Sequence, residues 1–322
     1  MPAMPTQSEI ERAAAILRTG GLVAFPTETV YGLGADASNP AAVAKIFAAK
    51  GRPQNHPLIV HIAGVESLPL WAKDLGPAAH KLAAAFWPGP LTLVLKRAAG
   101  VPDCVTGGQD TVGLRIPGHP VALELLRVFA GEKGGRRYSG IAAPSANKFG
   151  RISPTSAEHV RDELGDVLDL VLDGGECDVG IESTIVDLSQ ARAVLLRPGQ
   201  ITPARIASVL GVEVDSPDAS APRAPGALDS HYAPHTPLYL VSAAELPSRL
   251  AALRGRKVAV LARAEAPEGL HEVYWQEAQR AVAGYTRELY ASLRRLDALG
   301  CDLILVEAPP AVPEWQGVHD RL

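Results

Sequence analysis

Cysteine is scarce, with Cys104, Cys177 and Cys301 the only three in 322 residues. An odd number so widely scattered argues against a disulfide framework and against a cysteine-based zinc site. It fits a reducing compartment, so a cytoplasmic location is expected. Aromatic residues are only 5% of the chain, which argues against a base-stacking platform for RNA. No apolar run is long enough to span a bilayer, so no membrane partner is expected. The N-terminus lacks the basic, apolar, small-residue order of an export signal. Excess charge is also small, at −4, and uneven: residues 1–211 hold 20 Lys+Arg and 20 Asp+Glu, residues 212–322 hold 11 and 15. The chain as a whole is no electrostatic magnet for nucleic acid, and any anion site must be a local cluster. Also missing are G-x-x-x-x-G-K-[ST], H-E-x-x-H, G-x-S-x-G and His/Cys pairs at metal spacing.

What is present is a chain long enough for two domains, 47% hydrophobic and 20% charged. The organising stretch is Phe25-Pro-Thr-Glu-Thr-Val-Tyr-Gly-Leu-Gly-Ala-Asp36, followed by Lys50-Gly-Arg-Pro-Gln-Asn-His-Pro-Leu-Ile-Val-His-Ile62. It reads as strand Leu22–Phe25 entering a turn at Gly32 and Gly34, with Thr27 and Thr29 on one face. Lys50 and Arg52 then lie on a short loop before strand Leu58–Ile62, which carries His61. A helix is expected from Ser8, as N-cap, to Thr19, another from Pro40 to Ala49 and a third over Pro77–Phe86. Strands follow at Leu91–Leu95 and Thr111–Pro117, then a helix at Pro120–Phe129. Residues 131–140 read as a charged, glycine-rich surface loop. Beyond it come a strand end at Ile141–Asn147, a helix Ser156–Leu164, strands Val167–Leu172, Gly180–Asp187 and Val194–Arg197, and a helix Pro203–Leu210.

These assignments give a domain over 8–211, a proline-rich linker over 212–237 and a small α/β domain over 238–322. The linker has prolines at 217, 222, 225, 234 and 237, yet carries His231-Tyr-Ala-Pro-His235, so it is expected to dock. The last domain alternates strands (Leu238–Val241, Lys257–Leu261, Glu272–Trp275, Leu303–Val306) with helices (Ala243–Leu253, Glu277–Leu299). That pattern predicts a parallel, Rossmann-like sheet, but without G-x-G-x-x-G it licenses no dinucleotide site.

In the first domain cations (Lys50, Arg52, Arg115, Lys148, Arg151, Arg197) interleave with hydroxyls (Thr27, Thr29, Thr111, Ser145, Ser153, Ser183) at successive strand ends. Strand ends are where ligands bind in α/β sheets. Lysine offers phosphate a point charge and arginine a planar fork. Together they suit a polyanion beside a small polar molecule, held by positioning and charge.

These residues carry a family resemblance. Pro26-Thr-Glu-Thr-Val-Tyr-Gly-Leu-Gly34, Lys50-Gly-Arg-Pro53, His56–His61, Trp87-Pro-Gly-Pro-Leu-Thr92, Gly113–Pro117, Ala143–Asn147, Gly180–Asp187 and Leu196–Gly199 resemble the YrdC-type threonylcarbamoyl-AMP synthases over residues 8–211. Pro225-Gly226, His231–Pro237 and the extra α/β domain resemble the long two-domain form. The resemblance implies a twisted, mixed α/β sheet enclosing a basic cavity. It implies conversion of ATP, L-threonine and bicarbonate to threonylcarbamoyl-AMP and pyrophosphate, with Mg²⁺ accompanying ATP. A separate transferase complex would then deliver the group to tRNA. It also implies Lys50 and Arg52 as catalytic, and Thr29, His61, Arg115, Ala143 and Ser183 for threonine. The nucleotide side would be Arg52, His56, Thr111, Ser145, Ser153, Arg197 and Tyr232, with Asn55 or His56 facing the nucleotide. Competing readings are an RNA-binding module, against which the neutral first part speaks, and a carbamoyl-adenylate-forming transferase, which would want further domains and metal-binding cysteines.

Overall fold

The computed structural model describes residues 4–131, 139–226, 232–270 and 272–322. The loop expected at 131–140 lies mostly outside these residues, as does His231 of the linker patch.

The chain runs α1 (Gln7–Arg18), β1 (Val23–Phe25), β2 (Gly32–Asp36), α2 (Pro40–Lys50), β3 (Ile59–His61), α3 (Leu68–Trp71), α4 (Pro77–Phe86), β4 (Leu91–Lys96), α5 (Asp103–Thr106), β5 (Thr111–Arg115) and α6 (Pro120–Ala130). It continues with β6 (Ile141–Ala142), α7 (Ala157–Leu164), β7 (Leu170–Val171), β8 (Thr184–Asp187), β9 (Val194–Arg197) and α8 (Pro203–Leu210). These nine strands form one mixed sheet in the order β7-β1-β2-β6-β3-β5-β4-β8-β9. Next come β10 (Leu238–Val241), α9 (Leu246–Ala252), β11 (Val258–Ala262), β12 (Val273–Glu277), α10 (Val282–Asp297), β13 (Leu303–Glu307) and α11 (Gln316–His319). Their strands make an all-parallel sheet ordered β10-β13-β11-β12.

Local chemistry explains several boundaries. Helix α1 starts at Gln7, its cap at Thr6 lying two residues before Ser8, because Thr6 and Glu9 form a reciprocal capping box. Asn39 caps α2 with Pro40 in its first turn, and Gly51 ends it at φ 63°. The helix therefore reaches Lys50, which ends a helix instead of lying on the loop the sequence suggests. Gly32 and Gly34 lie in strand β2, where a turn was expected. A side chain at Gly34 would come within 2.8 Å of the Phe25 ring and 2.9 Å of Ile141, so glycine there makes room across the β1–β2 pairing. The expected strand 180–187 is regular only from Thr184. Gly180, at φ 82°, lies so close to the backbone of Thr286 and Arg287 in α10 that a Cβ would sit 2.5 Å from it.

One apolar core packs β1–β6 and β8 against α2 and α4, and a second lies under α1 and α6. A third belongs to both domains: Val30, Ile152, Val179 and Ile181 join Tyr232 of the linker and Tyr285, Leu289, Tyr290 and Trp315 of the C-terminal unit. The C-terminal domain is thus docked through buried apolar surface, the dominant favourable term in association. Along the linker, Ala224 packs on Ile59, Val94 and Ile185 of the large sheet, so the expected docking occurs.

Candidate active site

Strands β3 and β5 run parallel with His61 opposite Arg115, and β6 pairs antiparallel beside β3 with His61 opposite Ile141. This register sets His61 beside Arg115 and Ala143 beside Ile59, two residues back along β3, on the same face of the sheet. The β1–β2 connection adds Thr29, the turn after β6 adds Ser145, and β8 and β9 add Ser183 and Arg197. Arg52 and the linker's Pro225, Gly226 and Tyr232 complete the wall of one enclosed cavity. It measures about 50 Å³, far below the roughly 300–1,000 Å³ of pockets that hold ligands of drug size.

The polar groups in this wall are largely buried and interlocked. Thr27 and Thr29 hydroxyls lie 2.8 Å apart, and Thr27 Oγ1 donates to the Val30 carbonyl at 2.6 Å. Both hydroxyls sit in a loop, since the strand ends at Phe25, so their pairing replaces the period-two face expected for them. Arg115 stands 2.8 Å from Glu28 and donates through Nε to the Gly89 carbonyl at 3.3 Å. The Glu28 contact is poorly angled for a hydrogen bond, leaving that guanidinium end a charge contact only. Arg52 Nη2 donates to the Pro57 carbonyl at 2.8 Å, while its buried Nε has no hydrogen-bond partner among the described residues. Burial draws Arg52 down to about 10, which leaves it charged at neutral pH. His61 is drawn to about 3 by burial and then by Arg115, so its ring is neutral, and no described group bonds its Nδ1.

Several expected site residues do other work. Lys50 is 3% exposed, and its ammonium donates to the carbonyls of Ser145, at 2.6 Å, and Asn147. It therefore braces the 145–147 turn, and burial followed by Arg52 lowers its pKa well below the usual lysine value. Ser153 is fully buried and donates to Glu182 at 2.6 Å. Thr111, at the far end of β5 from Arg115, lines a separate hollow with Lys96 and Arg97. Lys148 and Arg151 line an outer groove with His159 and His235. His56 is half-buried edge-on to Phe149 at 5.4 Å, whereas Asn55 is exposed. Burial, then Arg52 and Arg223, lower the His56 pKa.

Glu182 went unnoticed in the sequence although its neighbour Ser183 was chosen. It accepts from Ser153, from the Tyr290 hydroxyl at 2.9 Å and from Arg321 Nε at 2.7 Å. Burial opposes its charge, yet Arg321, then Arg197, outweigh that and hold it at about 2. Its one sequence signal was a carboxylate inside an apolar run, where an unpaired charge would be costly. Glu28 and Pro225 were missed for a similar reason, because their partners lie far away in the chain.

Fold and cavity define a mixed-sheet α/β protein whose arginine- and hydroxyl-lined chamber suits a polyanion beside a small polar molecule. A family model described as "Telomere recombination" matches residues 15–199, and one described as "Threonylcarbamoyl-AMP synthase, C-terminal domain" matches residues 201–322. The second begins before the sequence-based boundary at 211 and takes in α8. The chain is 41% identical over 312 residues to the threonylcarbamoyl-AMP synthase of Pyrococcus abyssi, covering 93% of this chain and 88% of that one. It is 41% identical over 331 residues to the Bacillus subtilis enzyme of the same name, covering 98% and 92%. The crystal structure of P. abyssi Sua5 complexed with L-threonine superposes with a TM-score of 0.90 at 39% identity, covering 99% of this chain and 94% of that one. The chain belongs to the threonylcarbamoyl-AMP synthase family. It is an enzyme of the nucleotidyl-transfer kind. Among the described residues no helix is long and apolar enough to cross a membrane.

Proposed function

We propose that this cavity converts ATP, L-threonine and bicarbonate to threonylcarbamoyl-AMP and pyrophosphate, the first step of threonylcarbamoyladenosine formation in tRNA. The observation that carries this reading is the convergence of the Arg52, Arg115 and Arg197 guanidinium groups on one enclosed, hydroxyl-lined space. Threonine would lie on the Thr29, His61, Arg115, Ala143 and Ser183 side, its carboxylate against Arg115 and a polar hydrogen on the neutral His61 ring. The nucleotide would lie toward Arg52, Ser145, Arg197 and Tyr232, with His56 at the rim. Ser153 and Thr111 have indirect parts at most in this arrangement, and Lys50 acts by holding the Ser145 turn.

In the first step the neutral threonine amine attacks the bicarbonate carbon, and loss of water leaves a carbamate. A carbamate oxygen then displaces pyrophosphate from the α-phosphorus of ATP, giving the mixed anhydride. Negative charge builds on the transferring and leaving phosphates, where fixed guanidinium groups in a dry cavity stabilise it. Mg²⁺ enters as part of the MgATP substrate. No group of three metal-ligating side chains occurs among the described residues, and Glu28 and Glu182 are engaged by arginines. The cavity is too small for both substrates while Pro225, Gly226 and Tyr232 close it. That supports a linker that lifts for entry and closes again to keep water from a labile product. A separate transferase complex would carry the group to tRNA, with no stable binding of nucleic acid by this chain.

The test is pyrophosphate release from ATP with and without threonine and bicarbonate. Release should require both, and Lys50→Ala with Arg52→Ala should lower it at least roughly 100-fold, about 2.7 kcal/mol of barrier. Release indifferent to threonine would overturn the reading.

A further inference from the structure

The C-terminal domain reaches the cavity wall through Tyr290 and Arg321, both bound to Glu182. Arg321, fully buried, donates from Nε to Glu182 Oε2 at 2.7 Å, from Nη1 to the Pro198 carbonyl at 3.1 Å and from Nη2 to the Glu182 carbonyl at 3.4 Å. Glu182 and Pro198 are the chain neighbours of Ser183 and Arg197, the pair that faces the cavity. The same guanidinium lies over the Tyr232 ring, 5.2 Å from its centre, and Tyr232 in turn packs on Tyr290 at 5.7 Å. Close backbone contact fixes the approach: a Cβ on Gly317 would sit 3.1 Å from Gly199 and 3.0 Å from Ile181.

Resting on the function proposed above, we infer that Arg321 is a positioning residue for nucleotide binding, supplied by the C-terminal domain as the counter-ion of Glu182. Glu182 lines a cavity meant for a triphosphate, and a bare carboxylate there would repel it. It would also compete for Arg197, whose guanidinium already lies close enough to favour the Glu182 charge. In the structure Arg197 is directed elsewhere, to Ser183 and to the Pro225 carbonyl of the linker. Arg321 pairs with Glu182 Oε2 while Ser153 holds Oε1, which leaves Arg197 for phosphate. The C-terminal domain therefore neutralises a carboxylate of a cavity whose described lining arginines, Arg52, Arg115 and Arg197, come from the first domain.

The test compares wild type, Arg321→Met, Arg321→Lys, Glu182→Gln and the double variant Glu182→Gln with Arg321→Met, using steady-state kinetics in ATP and thermal unfolding. Arg321→Met should raise the ATP KM at least tenfold with kcat changed less than threefold. Adding Glu182→Gln, which removes the unpaired charge, should return the KM to within about threefold of Glu182→Gln alone. Arg321→Lys should fall between. The double variant keeps the test valid if Arg321→Met folds poorly, because it leaves no charge at position 182, and Asp320, the other carboxylate paired with Arg321, is 30% exposed. An unchanged ATP KM in Arg321→Met would overturn the assignment. So would a double variant that regains thermal stability while its KM stays as high as that of the single. Wild type without threonine-dependent turnover would overturn the function itself and this assignment with it, an outcome distinct from normal wild-type turnover with unresponsive variants.

Discussion

Arg197 donates to the Ser183 carbonyl from both Nε and Nη2, at 3.1 and 3.0 Å, and Nη2 also reaches Ser183 Oγ at 3.2 Å. Its Nη1 holds the Pro225 carbonyl of the linker at 2.9 Å. One planar fork thus joins the β8 entry, the β9 exit and the closing segment. Lysine cannot reproduce that geometry, because its ammonium is a single point with rotating donors. Arg197→Lys should lower threonine-dependent pyrophosphate release at least about 30-fold while the unfolding midpoint stays within a few degrees. Activity near wild type would show that charge alone suffices there.

Lys50 and Arg52 look equivalent in the sequence and are separated by the structure. Lys50 satisfies two carbonyls of the 145–147 turn, so Lys50→Met should lower both stability and turnover, the stability loss being about 1–3 kcal/mol for unsatisfied buried acceptors. Among the described residues the Arg52 side chain makes one hydrogen bond to the fold, and Arg52→Ala should reduce turnover strongly with a small effect on the midpoint. Urea unfolding alongside kinetics distinguishes the two. Equal midpoints for both variants would contradict this division.

Gly226 adopts φ 89°, and a Cβ there would come within 2.5 Å of the Tyr232 hydroxyl and 3.2 Å of Arg197. Gly226→Ala should therefore push the closing segment off the cavity. The expected result is faster hydrolysis of the mixed anhydride and about tenfold lower product yield, followed by chromatography of quenched reactions. Tyr232→Ala should act in the same direction. Product lifetimes equal to wild type in both variants would refute closure by the linker.

Buried imidazoles make stability depend on pH. Burial lowers His61 to about 3, with Arg115 adding to it, and lowers His159 to about 4, with Arg294 adding to it. Below about 6.5 the unfolded chain takes up protons that the native state refuses. The stabilisation is therefore complete above that pH and is lost as pH falls toward those native values. Each group contributes a slope of at most about 1.4 kcal/mol per pH unit. Urea midpoints should fall between pH 7 and pH 5, and His61→Gln should flatten the slope. Identical slopes in the two proteins would rule out His61 as a contributor.

Much of the architecture was legible from local pattern. Helices Pro77–Phe86 and Pro203–Leu210 and strand Leu238–Val241 match their sequence-based bounds, since prolines, glycines and apolar runs mark them within the segment itself. Alternating strands and helices after residue 238 were enough to predict a parallel sheet. The chemistry-bearing residue types at strand ends were visible too, because hydroxyls and cations stand out against aliphatic strands.

Which of those side chains meet was decided by tertiary structure alone. Ser153 and Thr111 resembled the other candidates locally, yet one is bound to Glu182 and the other lies at the wrong end of β5. Glu182 became meaningful only through Arg321, 139 residues away, and Tyr290, 108 residues away. A buried charge is defined by its counter-ion, and no spacing rule reports a counter-ion that arrives from another domain. Local propensity therefore determined the elements of this protein, while long-range pairing of buried polar groups determined which of them make a site.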